Sequence, residues 1–371
     1  MQPFQLERYF ARYEFNVKHL LCASDCESLS LAELLAQAPP ALLRRWETLR
    51  LGYTESQGDP DLRAAIAAAY TTISGDDVLV AAPEELIFLL MHCLLRPGDE
   101  VIAIAPAYQS LHEVAEEIGA TVRRWPVRAV DGQWRLDLDE LAAMIGVHTR
   151  LLVVNFPHNP TGYLPTAAEF AAIVALADRY GVRVFCDEMY RGLEYDAAER
   201  LPSICDAYPS GIALSGLSKV HALPGLRIGW LALHDPALLA AMQALKDYTT
   251  ICNSAPSELL ALMALGMEEP IIARNLAIIA GNREAAAALC ARHPALLSWL
   301  APRAGSVAFP QWRGPLSVDE LCERLVSEEG VLLAPASLFG ADGGHFRFGL
   351  GRHGFEAGLD RIEAWLEQIP A

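Results

Sequence analysis

A chain of 371 residues that is 53% hydrophobic and 20% charged holds enough apolar material for two domains, or for one large domain with an appendage. Its formal charge of −17 argues against a general nucleic-acid binder, which needs a basic face to replace counterions. The opening MQPFQLERYFARYEF lacks a signal-peptide core, and no run nears the roughly 18 apolar residues that span a bilayer, so a cytoplasmic protein without a membrane partner is expected. The eight cysteines (Cys22, Cys26, Cys93, Cys186, Cys205, Cys252, Cys290 and Cys322) include no C-x-x-C pair and no Cys/His grouping at zinc spacing. They are expected to be buried free thiols, with no metal site.

From about residue 50, short apolar runs alternate with amphipathic stretches. The predicted strands are Val78–Ala82, Glu100–Ala105, Thr121–Val127, Arg150–Phe156, Val182–Cys186, Gly211–Ser215 and Leu226–Leu233. Helices are predicted over Glu84–Leu95, Ser110–Ile118 and Thr166–Tyr180, closed by turn residues such as Pro97-Gly98 and by Gly181 at a C′ position. Strands alternating with helices imply an α/β domain with a mostly parallel sheet covered on both faces. Past residue 255 the pattern changes to two long helices, Ser257–Gly266 and Pro270–Arg292, followed by short strands and helices.

Three of the predicted strands end in reactive groups. RLLVVNF runs into Pro157-His158-Asn159-Pro160-Thr161-Gly162, and VRVFC stops at Asp187-Glu188-Met189-Tyr190. GIAL and LRIGWLAL flank a loop that carries Lys219, within SGLSKVHALPGLRIGW. An amine, a carboxylate, a phenol and an amide therefore arrive at strand ends in the order and spacing that a pyridoxal phosphate (PLP) site needs. In these motifs the chain resembles the fold-type-I PLP-dependent enzymes, in particular the class I/II aminotransferase superfamily.

The resemblance implies an aspartate-aminotransferase-like fold. Residues 46–255 would form a large domain around a seven-stranded, mostly parallel sheet, and residues 256–371 a smaller α+β domain that the N-terminal residues 1–45 join. It makes Lys219 the Schiff-base residue and proton shuttle, and Asp187 the partner of the pyridine nitrogen. Tyr190 and Asn159 would donate to the 3′ oxygen and Tyr108 would stack on the ring. Arg227, Ser218, Ser215 and the backbone amide of Glu84 would hold the phosphate. The sequence departs from the family at two points of that cup. Gly216 stands where a serine is common, and Pro83 stands at the start of the helix, where the family has a glycine-rich turn. The Glu84 carboxylate is accordingly expected to point away from the phosphate.

Tyr53, in LGYTESQGDPDLRAAIA, resembles a segment that crosses a dimer interface to reach the neighbour's phosphate, which implies a homodimer. Arg347 lies in an alternating apolar pattern, HFRFG, that half-buries it, and a buried guanidinium needs an anion. By resemblance that anion is the substrate α-carboxylate, with Asn159 beside it. Relatives acting on dicarboxylic acids carry a further arginine, and none occurs between Arg227 and Arg274, which argues against an aspartate-like substrate unless Lys246 replaces it. The expected function is amino-group transfer between an amino acid and a 2-oxo acid by ping-pong chemistry. The same residues also serve PLP-dependent lyases, decarboxylases and cyclases. A ligand-sensing regulator of this fold would need an N-terminal DNA-binding module, for which the first 45 residues carry no basic cluster.

Overall fold

Runs such as Val78–Ala81 and Gly229–Leu233 are buried at every position, as strands must be when helices cover both faces of their sheet. In the computed structural model, which describes residues 1–369, the large sheet is built from β1 (Val78–Ala81), β2 (Glu100–Ala105), β3 (Thr121–Val130), β4 (Gln133–Leu136), β5 (Thr149–Asn155), β6 (Arg183–Asp187), β7 (Gly211–Gly216) and β8 (Gly229–Leu233). Their order across the sheet is β1-β8-β7-β6-β5-β2-β3-β4. Pairings from β3 through β7 are parallel. The two edges, β1–β8–β7 and β3–β4, are antiparallel.

The sheet has eight strands, one more than expected. Strand β3 runs on to Val130 and returns as β4, with Val130 opposite Gln133. The two residues between them, Asp131 and Gly132, have φ of 51° and 75°, as a two-residue hairpin turn requires. The Asp-Gly dipeptide at this point is itself a hairpin signal that the alternating-helix pattern overrode.

Helix boundaries follow local chemistry. Thr166 and Glu169 form a reciprocal capping box at the start of Ala167–Tyr180, and Gly181 ends that helix at φ 64°. The parallel register then decides where the motifs meet. Asn155 at the end of β5 lies opposite Asp187 at the end of β6, and Asp187 lies opposite Leu214 of β7. Three motif-bearing loops therefore leave the sheet at one carboxyl edge, where ligands of open α/β sheets bind.

A second hydrophobic core forms around Ile279, Leu289, Leu321, Phe348 and Trp365. It contains a three-stranded sheet in which Phe346–Gly349 lies between Val307–Ala308 and Ala334–Pro335. The N-terminal segment joins it through His19–Leu20, paired parallel to Val331–Leu332. The expected start of this unit at residue 256 meets a different packing. Leu259, Leu260 and Met263 of helix Ala255–Leu265 belong to the larger core, and helix Glu268–Arg292 carries the chain from one core to the other, with Ile271 in the first and Ile279 in the second. All eight cysteines are free thiols, six of them buried. Among the described residues no helix is long and apolar enough to cross a membrane.

Candidate active site

Where the carboxyl edge of the sheet faces the N-terminal helix (Gln5–Tyr13), a cavity of about 510 Å³ opens. Lys219, Asp187, Tyr190, Asn159, Tyr108, Ser218, Arg227 and Glu84 all line it. Lys219 reaches in from the loop after β7, and its Nζ donates to Ser24 Oγ at 2.8 Å. Burial lowers its pKa; Asp25 opposes the shift and Arg347 adds to it. A suppressed ammonium is a better nucleophile and proton carrier near neutral pH.

Asp187 closes β6, its Oδ1 accepting the Met189 N–H at 3.0 Å. Burial lifts its carboxyl to about 6, against that hydrogen bond and the charge of Lys219. A cation brought beside it would restore the carboxylate. Asn155 ties the two strand ends together, donating to the Asp187 carbonyl at 2.8 Å and accepting the Asn159 N–H at 2.7 Å. It went unnoticed in the sequence, although a polar residue ending an apolar strand is a visible signal. Of the prolyl bonds around this loop, Phe156-Pro157 and Asn159-Pro160 are both cis. Gly162, at φ 68°, is required: a Cβ there would lie 2.3 Å from Pro302 Cβ and 2.8 Å from the Val307 carbonyl.

Arg347, expected to be half-buried, is fully buried behind Asn159 and is not among the residues that line the cavity. Its Nε donates to the Cys22 carbonyl at 2.9 Å and its Nη1 to Asn159 Oδ1 at 3.1 Å, while Nη2 has no partner. The guanidinium lies 4.9 Å from the Phe339 ring centroid. The Tyr190 hydroxyl is also buried without a partner, and burial raises its pKa. Tyr108 donates its hydroxyl to Glu7 Oε1 at 2.7 Å.

The expected phosphate end needs one correction. Ser215 does not face this cavity. Side chains alternate across a strand, so Leu214 lines the cavity, whereas Ser215 opens on a second one beside Glu188 and His221. Glu84 lines the cavity, and its carboxylate oxygens are closed from solvent beside Ser110 and Tyr108. Gly216 has a steric reason, since a Cβ there would lie 2.9 Å from Gly229 Cα in β8. Pro83 takes the first position of helix Pro83–Leu94, which needs no N–H. Arg227 adopts φ 55° and holds the Pro224 carbonyl at 3.1 Å.

Tyr53 is 90% exposed and lines no part of the cavity. Lys246 is buried with an unpartnered Nζ and does not reach the cavity either. Several lining residues were not legible in the sequence: Ser24, Asp25, Glu7 and Glu14, all from the N-terminal segment.

The profile of the family described as aminotransferase class I and II matches residues 18–361. The chain belongs to that family. Its members use PLP, which is the cofactor of this protein. The chain is 33% identical to capreomycidine synthase of Streptomyces vinaceus over 361 residues, covering 96% of this chain and 92% of that one. It is 29% identical to an arginine–pyruvate transaminase of Pseudomonas aeruginosa, over 80% of this chain and 77% of the relative. Among solved structures, a PLP-dependent aminotransferase from Streptococcus suis superposes with a TM-score of 0.93 at 28% identity, covering 100% and 99% of the two chains. The PLP-dependent cyclase OrfR gives 0.90 at 30% identity, covering 99% and 98%. The residues around the cavity fit the family's cofactor: a buried amine, a buried carboxyl and an unpartnered phenol face one space.

Proposed function

We propose that the protein is a PLP-dependent aminotransferase that moves an amino group between an amino acid and a 2-oxo acid. The observation that carries this reading is the buried, charge-suppressed amine of Lys219 facing the same cavity as the buried carboxyl of Asp187. PLP, when bound, supplies an aldehyde that takes up amino groups and a ring that accepts electrons. Lys219 would hold it covalently and carry a proton to and from the substrate carbon. Asp187 would keep the ring nitrogen protonated, and Tyr190 and Asn159 would donate to the ring oxygen. Ser218, Arg227 and the Glu84 amide would hold the phosphate, with Tyr108 against the ring. The free Nη2 of Arg347 would take the substrate carboxylate.

Similarity to an arginine–pyruvate transaminase and to the Streptococcus suis aminotransferase supports transfer. A second reading, cyclisation or elimination on the same cofactor, is favoured by the similarity to capreomycidine synthase over 96% of the chain. Incubating the holoenzyme with an amino-acid panel, with and without a 2-oxo acid, separates the two. Transfer requires the 2-oxo acid for continued turnover and converts it to an amino acid. Ammonia or a cyclic product formed at the same rate without it would overturn transfer.

The active unit is read as a homodimer. Leu51, Tyr53, Tyr248 and Ile251 are 83%, 90%, 89% and 52% exposed, an unusual density of large apolar groups for an open surface. Their two loops are tied together by Thr54 Oγ1 to the Asn253 carbonyl and Ser56 Oγ to Asp247 Oδ1, each at 3.3 Å. With Tyr53 crossing to the partner's phosphate, Tyr53→Phe is expected to weaken PLP binding about 10-fold, the worth of one hydrogen bond to a charged group. Cofactor titration of the apoprotein measures this, and light scattering measures the mass. A monomer with full turnover would refute the arrangement.

A further inference from the structure

We propose that Ser24 is a positioning residue for proton transfer: its hydroxyl fixes the Lys219 amine at its working place whenever that amine is not bonded to the cofactor. This role rests on Lys219 as the proton carrier, and it is the same for transfer and for cyclisation.

A proton carrier must sit within hydrogen-bond reach of the atom it serves. Lysine does not hold that place by itself, because its long flexible stem lets the amine wander and ordering it costs entropy. Lys219 lines the cavity, and its Nζ donates to Ser24 Oγ at 2.8 Å, its one hydrogen bond among the described residues. Asp25, the acid that pulls hardest on the ammonium, is held by Arg352 at 2.7 Å instead. The serine hydroxyl therefore sets where the amine stands.

An anchor must itself be rigid, and Ser24 lies outside any helix or strand. Tertiary contacts supply the rigidity. Its carbonyl accepts the hydroxyl of the buried Ser306 at 2.6 Å. On one side the Leu21 carbonyl accepts the Gly349 N–H at 2.7 Å, and on the other the Glu27 N–H donates to the Gly351 carbonyl at 2.8 Å. The segment passes so close to the small sheet that a Cβ at Gly349 would lie 1.7 Å from the Ala23 carbonyl oxygen. One at Gly351 would lie 2.6 Å from that of Asp25. Ser24 is thus clamped at the cavity wall between Cys22, whose carbonyl Arg347 holds, and Asp25, whose carboxylate Arg352 holds.

The same hydroxyl acts on a second group of the site. Burial raises the Tyr190 pKa, and Arg347 and the Ser24 side chain oppose that rise, while the phenol has no closed hydrogen bond of its own. A hydroxyl accepts one bond and donates another. Ser24 can take a proton of the amine into one bond and turn its own towards the phenol oxygen, which leaves the phenol proton for the cofactor. Alanine at this position keeps the backbone clamp and removes only that link.

The chain has three lysines, Lys18, Lys219 and Lys246. Carbon-13 labelling at the lysine Cε therefore lets NMR follow each of them in the apoprotein, with a Lys219→Arg sample to identify the resonance of the site. Ser24 Oγ binds an ammonium more strongly than a free amine, so its loss disfavours the charged form. Burial has already lowered this pKa, and in Ser24→Ala the titration midpoint is expected at still lower pH. Asp25, Arg347, Cys26, Glu7, Glu14 and Asp187, the other groups coupled to the amine, are left in place by that substitution. In the holoenzyme, the saturating rate at which an amino acid exchanges its α-hydrogen with heavy water is expected to fall about 10- to 100-fold. The half-saturating concentration should stay within about 3-fold, because binding groups are untouched. Ser24→Thr keeps the hydroxyl and is expected to restore the midpoint and most of the exchange. An unmoved midpoint, a moved midpoint with undiminished exchange, or a loss as large in threonine as in alanine would overturn the proposal. Full exchange in Lys219→Ala would refute the lysine itself as proton carrier, and the role of Ser24 would fall with it.

Discussion

Lys219→Ala is expected to lower turnover on the order of 10⁴-fold or more while leaving the fold intact. The substitution removes both the covalent anchor of the cofactor and the proton carrier, and groups that act as one unit are lost together. Its effect on stability should be small. The amine makes one hydrogen bond, to Ser24 Oγ, and burial already disfavours its charge. Cofactor should still bind through the phosphate and ring contacts, but release on dialysis, because no bond from the protein holds it. A small primary amine added to the solution can enter the emptied space and restore part of the proton transfer. Single-turnover absorbance measures both effects. Full turnover in the alanine variant would refute the assignment, and a large loss of thermal stability would show that the residue is structural instead.

The parts of the fold that were legible are those where local pattern and tertiary need agree. The strand end at Asp187 was legible because an apolar run stops at a polar group; the parallel register then sets it beside Asn155, which carried the same signal and was passed over. Ser218 and Arg227 follow the same logic around β7 and β8. Ser215 escaped it: a motif is read along a line, whereas a strand sends successive side chains to opposite faces, and one residue decides the cavity. The hairpin at Asp131-Gly132 was missed because an edge strand of four residues carries little apolar signal. Glu7, Ser24 and Asp25 were illegible for a different reason. Ser24 meets Lys219 across 195 positions of sequence, and nothing in the local pattern of a polar segment says which distant wall it will cover. Glu84 was read through its backbone amide, and which neighbours would enclose its carboxylate, Ser110 and Tyr108, was not legible because they come from the next strand-helix unit.

Arg347→Met should separate substrate binding from stability. The native guanidinium is wholly buried yet only two of its nitrogens are satisfied, by the Cys22 carbonyl and by Asn159 Oδ1. No carboxylate lies within 4 Å of it among the described residues. Without substrate, then, the protein carries an uncompensated buried cation, softened by the Phe339 face at 4.9 Å. Methionine removes that charge and packs against Phe339 and Phe10, at the cost of leaving two acceptors without a donor. These terms oppose each other, so the apoprotein's Tm should move by only a few degrees, in either direction. Substrate binding has no such compensation. Losing a buried, charge-assisted pair costs about 2–5 kcal/mol, so KM for every amino donor should rise by roughly 10²- to 10³-fold, with kcat changing far less. Arg347→Lys keeps the charge without the fork and should recover only part of the affinity. The gain in Tm that a saturating amino acid gives the native holoenzyme should vanish in the methionine variant. An unchanged KM would remove Arg347 from the substrate site. An unchanged KM with a collapsed Tm would make its bonds to Cys22 and Asn159 purely a clasp between the N-terminal segment, the β5 loop and the small sheet.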